Sequence, residues 1–364
     1  MADVLTNLRE LSVGISFFYF DNPDDITPAT FRNLCISNIS GFDSRTPVSQ
    51  GDEFSVRELQ TIKNGIILGK RLGDVLGFRK SNPSIRWRGN EKDDLIDLQI
   101  NDTNISLKEK SWILKNMGLY SVLNILTNSD KFRRGVHIFE TFAPDEFEQW
   151  FESAIKCLMQ NPKFEYISPK GYTSRGRIEK QTLYLTIDNT TVEIPDIQNL
   201  TYAKFNQLTN SKIREKVFCK WLSNAADKNY HDKKRVCAMT AGKNLEKYIN
   251  QHLVNSSPAI LNLFNLEKYE YIYAKNDGHI LQISKVPGID TVDYTNWCIE
   301  KVEVSIPDSQ LNLKTTIRNV KTGKLCTFRN EIRYSHGQFN GTPEAKLYVE
   351  AGDNLEDIIY LSLI

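Results

Sequence analysis

The run Leu95–Ser111, L-I-D-L-Q-I-N-D-T-N-I-S-L-K-E-K-S, decides how this chain is read. Its segments Leu95 to Ile100 and Ile105 to Ser111 alternate apolar and polar residues on either side of Asn101 to Asn104, the pattern of a β-hairpin. A four-residue loop sets Ile100 opposite Ile105, Gln99 opposite Ser106 and Asp97 opposite Lys108. Ile96, Leu98, Ile100, Ile105 and Leu107 then share a core face, while Asp97, Gln99, Ser106, Lys108 and Lys110 share the other. A one-residue slip would separate the carboxylate from the ammonium.

A carboxylate beside a lysine at the edge of a buried sheet suits metal-dependent phosphodiester hydrolysis. The acid holds Mg2+, the metal polarises the phosphate and acidifies its water, and the lysine orients the nucleophile or stabilises developing charge. Asp97 and Lys108 fit those roles; a surface cross-strand salt bridge, worth about 0 to 1 kcal/mol, is the simpler reading of the same pair.

Upstream, Asp52 to Gly77 carries Val56, Leu59, Ile62, Ile66, Leu72, Val75 and Leu76 mostly at helical steps. Ser55 followed three places on by Glu58 forms a capping box, which fixes the helix start. The glycines inside this pattern read as packing sites. Downstream, Ser111 to Thr127 reads as helix, and Pro144 opens a second amphipathic helix that ends before Pro162. The Pro-, Gly-, Ser- and Lys-rich stretch from Pro162 to Gly176 reads as a linker, and Gln181 to Ile194 as paired strands. Tyr202 to Asn255 reads mainly as helix, and the remainder from Leu266 as sheet.

The order helix, strand with Asp, hairpin strand ending in x-Lys, then helix resembles the nuclease core of the PD-(D/E)xK superfamily. Ile105 to Leu119, ISLKEKSWILKNMGL, is similar to the I-S-x-K stretch of some type II restriction endonucleases, including GGCC-cutting ones. The resemblance covers about Asp52 to Met117 and implies an α/β fold, a mixed sheet flanked by helices. It makes Asp97 the motif aspartate and Lys108 the motif lysine, with Ser106 and Lys110 beside them and Mg2+ as cofactor. Ser106 departs from the pattern, which wants Asp or Glu there. Since such sites normally gather two acids, the resemblance points to one recruited from a helix. Glu58 is the first candidate, although the capping box already explains it; Asp94, Glu53 and Glu109 rank below it.

The net charge is only +1, so any anionic partner must meet a local patch. Lys204 to Lys247 supplies one, with eleven Lys and Arg against four Asp and Glu. Lys233, Lys234, Arg235 and Lys243 lie in it, and Arg175 and Arg177 sit in a separate Gly-containing stretch with Lys170. The cluster suits either a phosphate-gripping lobe or a solvated helical face. Near the end, Arg329, Arg333, His336, Gln338 and Asn340 fall in a strand, turn and strand; Arg can pair with guanine and Gln or Asn with adenine. That stretch is similar, more loosely, to an Arg-rich R-x-H-N segment of the same enzymes, and His336 also suits a turn bonded to backbone.

These readings predict residues 1–162 as a nuclease core with N-terminal helices and 163–364 as a basic, C-terminal α+β DNA-binding and recognition region. The partner is double-stranded DNA, and a short two-fold-symmetric target would make the protein a homodimer. The alternative is a non-catalytic nucleic-acid binder on a degenerate nuclease core. No phosphate-loop, GxGxxG, HExxH or GxSxG motif is present, which disfavours a nucleotide cofactor. The longest N-terminal apolar run, Ile15 to Phe20, is far short of the roughly 18 residues a membrane span needs. Six cysteines lie scattered without a CxxC pair. Together these lead us to expect a cytoplasmic protein with reduced, packed thiols.

Overall fold

The computed structural model describes residues 4–349 except 20, 79–81, 90, 92–95, 109–112, 134–136, 169–170, 255–258, 261–262, 264–270, 277, 279–280, 287–293 and 341–342. Up to the midpoint the elements run α1 (Val4–Ile15), α2 (Pro28–Asn38), β1 (Ile39–Ser40), α3 (Val56–Val75), β2 (Ile85–Trp87), β3 (Leu98–Ile100), β4 (Thr103–Lys108), β5 (Ile113–Gly118), α4 (Leu119–Thr127), α5 (Ile138–Phe142) and α6 (Pro144–Gln160). Then follow β6 (Lys163–Ile167), β7 (Thr173–Glu179), β8 (Thr182–Ile187), β9 (Thr190–Ile194), α7 (Tyr202–Leu208), α8 (Ser211–Ile213), α9 (Cys219–Ala225), α10 (Lys228–His252), β10 (Tyr271–Asn276), β11 (Leu281–Val286), β12 (Trp297–Ser305), β13 (Asn312–Asn319), β14 (Leu325–Arg333) and β15 (Glu344–Val349). The class is mixed α/β. Among the described residues no helix is long and apolar enough to cross a membrane.

The chain divides into two units, one drawn from Met1–Ile113 and Phe264–Asn296, the other from Leu114–Leu263 and Trp297–Ala351. This corrects the boundary expected at 162/163. The stretch from Pro162 is no linker, because Lys163–Ile167 is a paired strand. Conversely, β10 and β11 leave the C-terminal half for the first sheet, whose order is β1-β2-β3-β4-β10-β11. Strand pairing is a long-range choice that local composition does not encode.

In the first unit, β2, β3 and β4 pair antiparallel, and β10 returns parallel to β4 with Ile272 against Ile105 and Ala274 against Leu107. These four side chains are buried with Leu8, Leu11, Phe31, Ile62 and Ile66 in one core. The capping box at the start of α3 forms as its sequence requires. The glycine reading holds at two positions, where a Cβ at Gly65 would come within 2.5 Å of Ser12 Cβ and one at Gly69 would collide with Ser16 Oγ and Val13 O, but not at Gly77, which has φ 73° and open space around it. The two glycines thus let α1 lie against α3 at backbone distance, which sets the position of α1.

The second unit holds a five-stranded sheet, β12-β13-β14-β15-β5, and a four-stranded meander, β6-β7-β8-β9. The helix expected over Ser111 to Thr127 begins only at Leu119, because Ile113–Gly118 is taken as the edge strand beside β15. Four cysteines are buried, Cys219 and Cys298 are partly so, and all six are free thiols, as expected.

His137 anchors this unit's aromatic core. Its Nδ1 accepts from Phe139 N (3.2 Å) and its Nε2 lies 2.7 Å from Gln338 O, which requires a neutral ring with the proton on Nε2. Burial drives its pKa down to about 4, with the Gln338 bond pulling upward more weakly. Protonation is thus cheaper in the unfolded chain, where a His titrates near about 6.5. Stability from this residue is complete above that value and is lost as pH falls toward 4, about 3 kcal/mol in all. Urea midpoints measured across this range should drop accordingly. His137→Asn, which keeps an N-cap acceptor, should flatten the slope; an unchanged slope would exclude His137 as its source.

Candidate active site

The β3–β4 connection is tighter than expected. Asn101 takes a left-handed backbone (φ 51°), its N–H donates to Ser84 O, and its Oδ1 accepts from Ser84 N. The result is a two-residue turn, Asn101 and Asp102, pairing Leu98 with Ile105 and Ile100 with Thr103. The register therefore moves by two residues from the expected one, which keeps every side chain on its face. Asp97, one residue before this ladder, donates its N–H to Ile105 O (2.9 Å) and is not the direct cross-strand partner of Lys108, a correction to the expected pairing.

The acid and the lysine meet nonetheless. Asp97 Oδ2 accepts from Leu107 N at 2.5 Å, lies 3.5 Å from Ser106 Oγ, and stands 3.7 Å from Lys108 Nζ. Both charged side chains are about one-fifth exposed, at 19% and 22%, so the pair is neither a loose surface bridge nor sealed from a substrate. Ser106 is buried, with Tyr273 of β10 alongside it in register. Its hydroxyl thus supports Asp97, where the family pattern would have a second acid.

Glu58 is not brought to this pair by any described contact. Its Oε2 accepts from Ser55 N (2.8 Å) and Ser55 Oγ (2.7 Å), and its Oε1 from Gln50 N (3.2 Å). The carboxylate is spent on the helix cap, so the metal role expected of it is corrected to a capping role. Glu53 is exposed, and Lys110, Asp94, Glu109 and Lys170 lie outside the described residues.

Glu10 on α1 is the acid that sequence reasoning missed. It is 3% exposed, its Oε2 accepts from Trp87 Nε1 at 2.8 Å, and a Cβ at Gly89 would come within 2.5 Å of that same oxygen. Burial pushes its pKa well above the carboxylate range and the charge of Asp97 raises it further, while the Trp87 bond, Arg9 and Lys108 oppose the rise. Glu10 thus senses both members of the hairpin pair. Its signal in the sequence is an acid in the apolar stripe of α1, one place before Leu11. Lys275 is a second missed residue: it is buried on β10 and stands in register with Lys108.

Among the described residues no three His, Cys, Asp or Glu side chains gather at metal-binding distance. Asp97, beside Lys108, and buried Glu10, whose charge is coupled to that of Asp97, are the two candidate carboxyl donors. That donor set suits Mg2+, which takes one or two carboxylates and completes its octahedron with water and substrate phosphate.

The expected nucleic-acid-binding residues all fall in the second unit, several with internal partners. Arg175 pairs with Glu165, Arg177 with Glu179, and Arg329 and Arg333 both with Glu331. Lys233 Nζ donates to Gln149, while Arg235 and Lys243 are exposed. Gln338 and Lys234 border one cavity together with Arg333, and burial lowers the pKa of Lys234. His336 is exposed, with Nδ1 3.4 Å from Glu215 Oε1. Asn340 corrects its expected role: it is buried, its Oδ1 accepts from Arg214 and its Nδ2 donates to His336 O, so it braces the loop and cannot read a base.

No family model matches the chain, and no curated protein or solved structure matches it.

Proposed function

We propose that this protein is a Mg2+-dependent, site-specific endonuclease of the restriction type, with a PD-(D/E)xK-like core in its first unit acting on double-stranded DNA. The observation that carries the reading is the Asp97–Lys108 pair, 3.7 Å apart at interior strands of the first sheet, with the buried carboxyl of Glu10 electrostatically coupled to both. Further support comes from the topology, in which an antiparallel β2-β3-β4 meander is followed by a parallel return at β10.

Asp97 and Glu10 would hold the metal, which when bound supplies charge neutralisation at the scissile phosphate and a more acidic water. Lys108 would donate to the attacking oxygen or to a non-bridging phosphate oxygen, where negative charge grows as the P–O bond to the leaving group breaks. Ser106 and Leu107 N would hold Asp97 still. The second unit would contribute phosphate contacts from its exposed cations and recognition from the turn between β14 and β15. A two-fold-symmetric target would make the active species a homodimer, one site per strand.

Incubation of the protein with long double-stranded DNA in Mg2+ and in EDTA tests this. Discrete fragments in Mg2+ alone are the expected result. Ser106, standing where the family has an acid, favours a second reading as a non-catalytic binder; retarded but intact DNA in both lanes would establish that one instead.

A further inference from the structure

A cavity of about 490 Å³ opens on the second unit, lined by Tyr166, Tyr172, Glu215, Lys216, Lys220 and His336 among others. One wall is a π-helical turn, Arg214–Phe218, closed by Cys219 N donating to Arg214 O. Such a turn carries one more residue than an α-turn, and it recurs at functional positions. Here the consecutive side chains Glu215 and Lys216 both border the cavity. Gly337, with φ 92°, closes another side, and a Cβ there would collide with Cys219 Sγ.

The chemistry of the walls is specific. Lys216 Nζ stands 5.9 Å from the Tyr172 ring centroid and Lys220 Nζ 5.3 Å from that of Tyr166. Two ammonium groups thus already occupy the cation positions over the rings, which disfavours a cationic ligand and favours an anionic one. Glu215 is compensated by Lys216 and stands 3.4 Å from His336 Nδ1, so its oxygens can accept from a ring or exocyclic N–H with little repulsion of an anion. Aromatic walls, paired cations and one acceptor together match a planar heterocycle attached to a phosphate. The volume lies within the range of ligand pockets, roughly 300–1,000 Å³.

We propose that this cavity binds an unpaired nucleotide, its base stacked on Tyr172 beside the tilted ring of Tyr166 and its phosphate on Lys216 and Lys220. The inference stands apart from the cleavage reading, because binding is measured on the full chain in EDTA, where no cleavage is expected. The probes are a labelled twelve-nucleotide (~12, a length chosen to span one such site) oligo-dT read by anisotropy, and thymidine and adenosine 5′-monophosphates read by calorimetry. Saturable oligonucleotide binding is expected, weakened about tenfold in Tyr172→Ala and in Lys220→Glu. The lysine variant should also show a salt slope shallower by about 0.7. Binding of the strand alone would assign the site to a polynucleotide, and binding of the monophosphates as well would show that one nucleotide suffices. Absence of saturable binding of either probe, or undiminished binding by Lys220→Glu, would overturn the proposal. Lys220 is exposed, so its variant reports even where Tyr172→Ala fails to fold.

Discussion

Lys108→Ala is expected to lower Mg2+-dependent DNA cleavage by about 10²–10³-fold, the cost of removing one donor aimed at developing transition-state charge. The Lys108–Asp97 contact is 3.7 Å long and partly solvated, so its own contribution to stability is about 1 kcal/mol or less. Thermal unfolding of the variant should therefore track the parent protein. DNA binding in EDTA should also persist, since the exposed cations Arg235 and Lys243 lie in the second unit. Cleavage rates under single-turnover conditions, compared with retardation of the same duplex, separate the two effects. Undiminished cutting by the variant would remove the β3–β4 hairpin from the active site.

The second large effect distinguishes two buried acids. Glu10→Gln keeps an amide oxygen for Trp87 Nε1 but removes the carboxyl proposed to hold Mg2+ from a site that is 3% exposed. Because burial already favours the neutral form of Glu10, the neutral amide should let this variant fold about as well as the parent while losing cleavage and weakening Mg2+ binding. Glu58→Ala should do the reverse. It deletes the acceptor of Ser55 N and Gln50 N, costing about 1 kcal/mol of stability, and it should cut DNA normally below its melting temperature. Denaturation midpoints and calorimetric Mg2+ titrations on both variants decide the matter. Retained activity in Glu10→Gln together with lost activity in Glu58→Ala would return the recruited acid to α3.

The contrast between these acids shows where local reading stops. Ser55 and Glu58 are three residues apart, and their reciprocal bonds close within one helical turn, so the capping box was legible from spacing. Glu10 and Trp87 are 77 residues apart, and their meeting depends on α1 lying against α3 through Gly65 and Gly69. Those glycines were read as packing sites, but the sequence does not say which helix they admit. The hairpin lies between these cases: alternation fixed the faces of Ile105, Ser106, Leu107 and Lys108, whereas Asn101 in its left-handed conformation fixed the register.

Domain organisation follows the same division. The α3 cap, the span of α6, the paired strands of Gln181 to Ile194 and the alternation that makes β3 and β4 a two-faced hairpin are all readable from neighbouring residues. Each rests on a periodicity or a bond spanning a few residues. That β10 lies parallel to β4, that Ile113–Gly118 becomes an edge strand and that Glu10 meets Trp87 are outcomes of tertiary packing. A strand's backbone groups can be satisfied by any compatible edge, and a buried carboxylate's neighbours are set by packing, so neither outcome is written in the residues next to it.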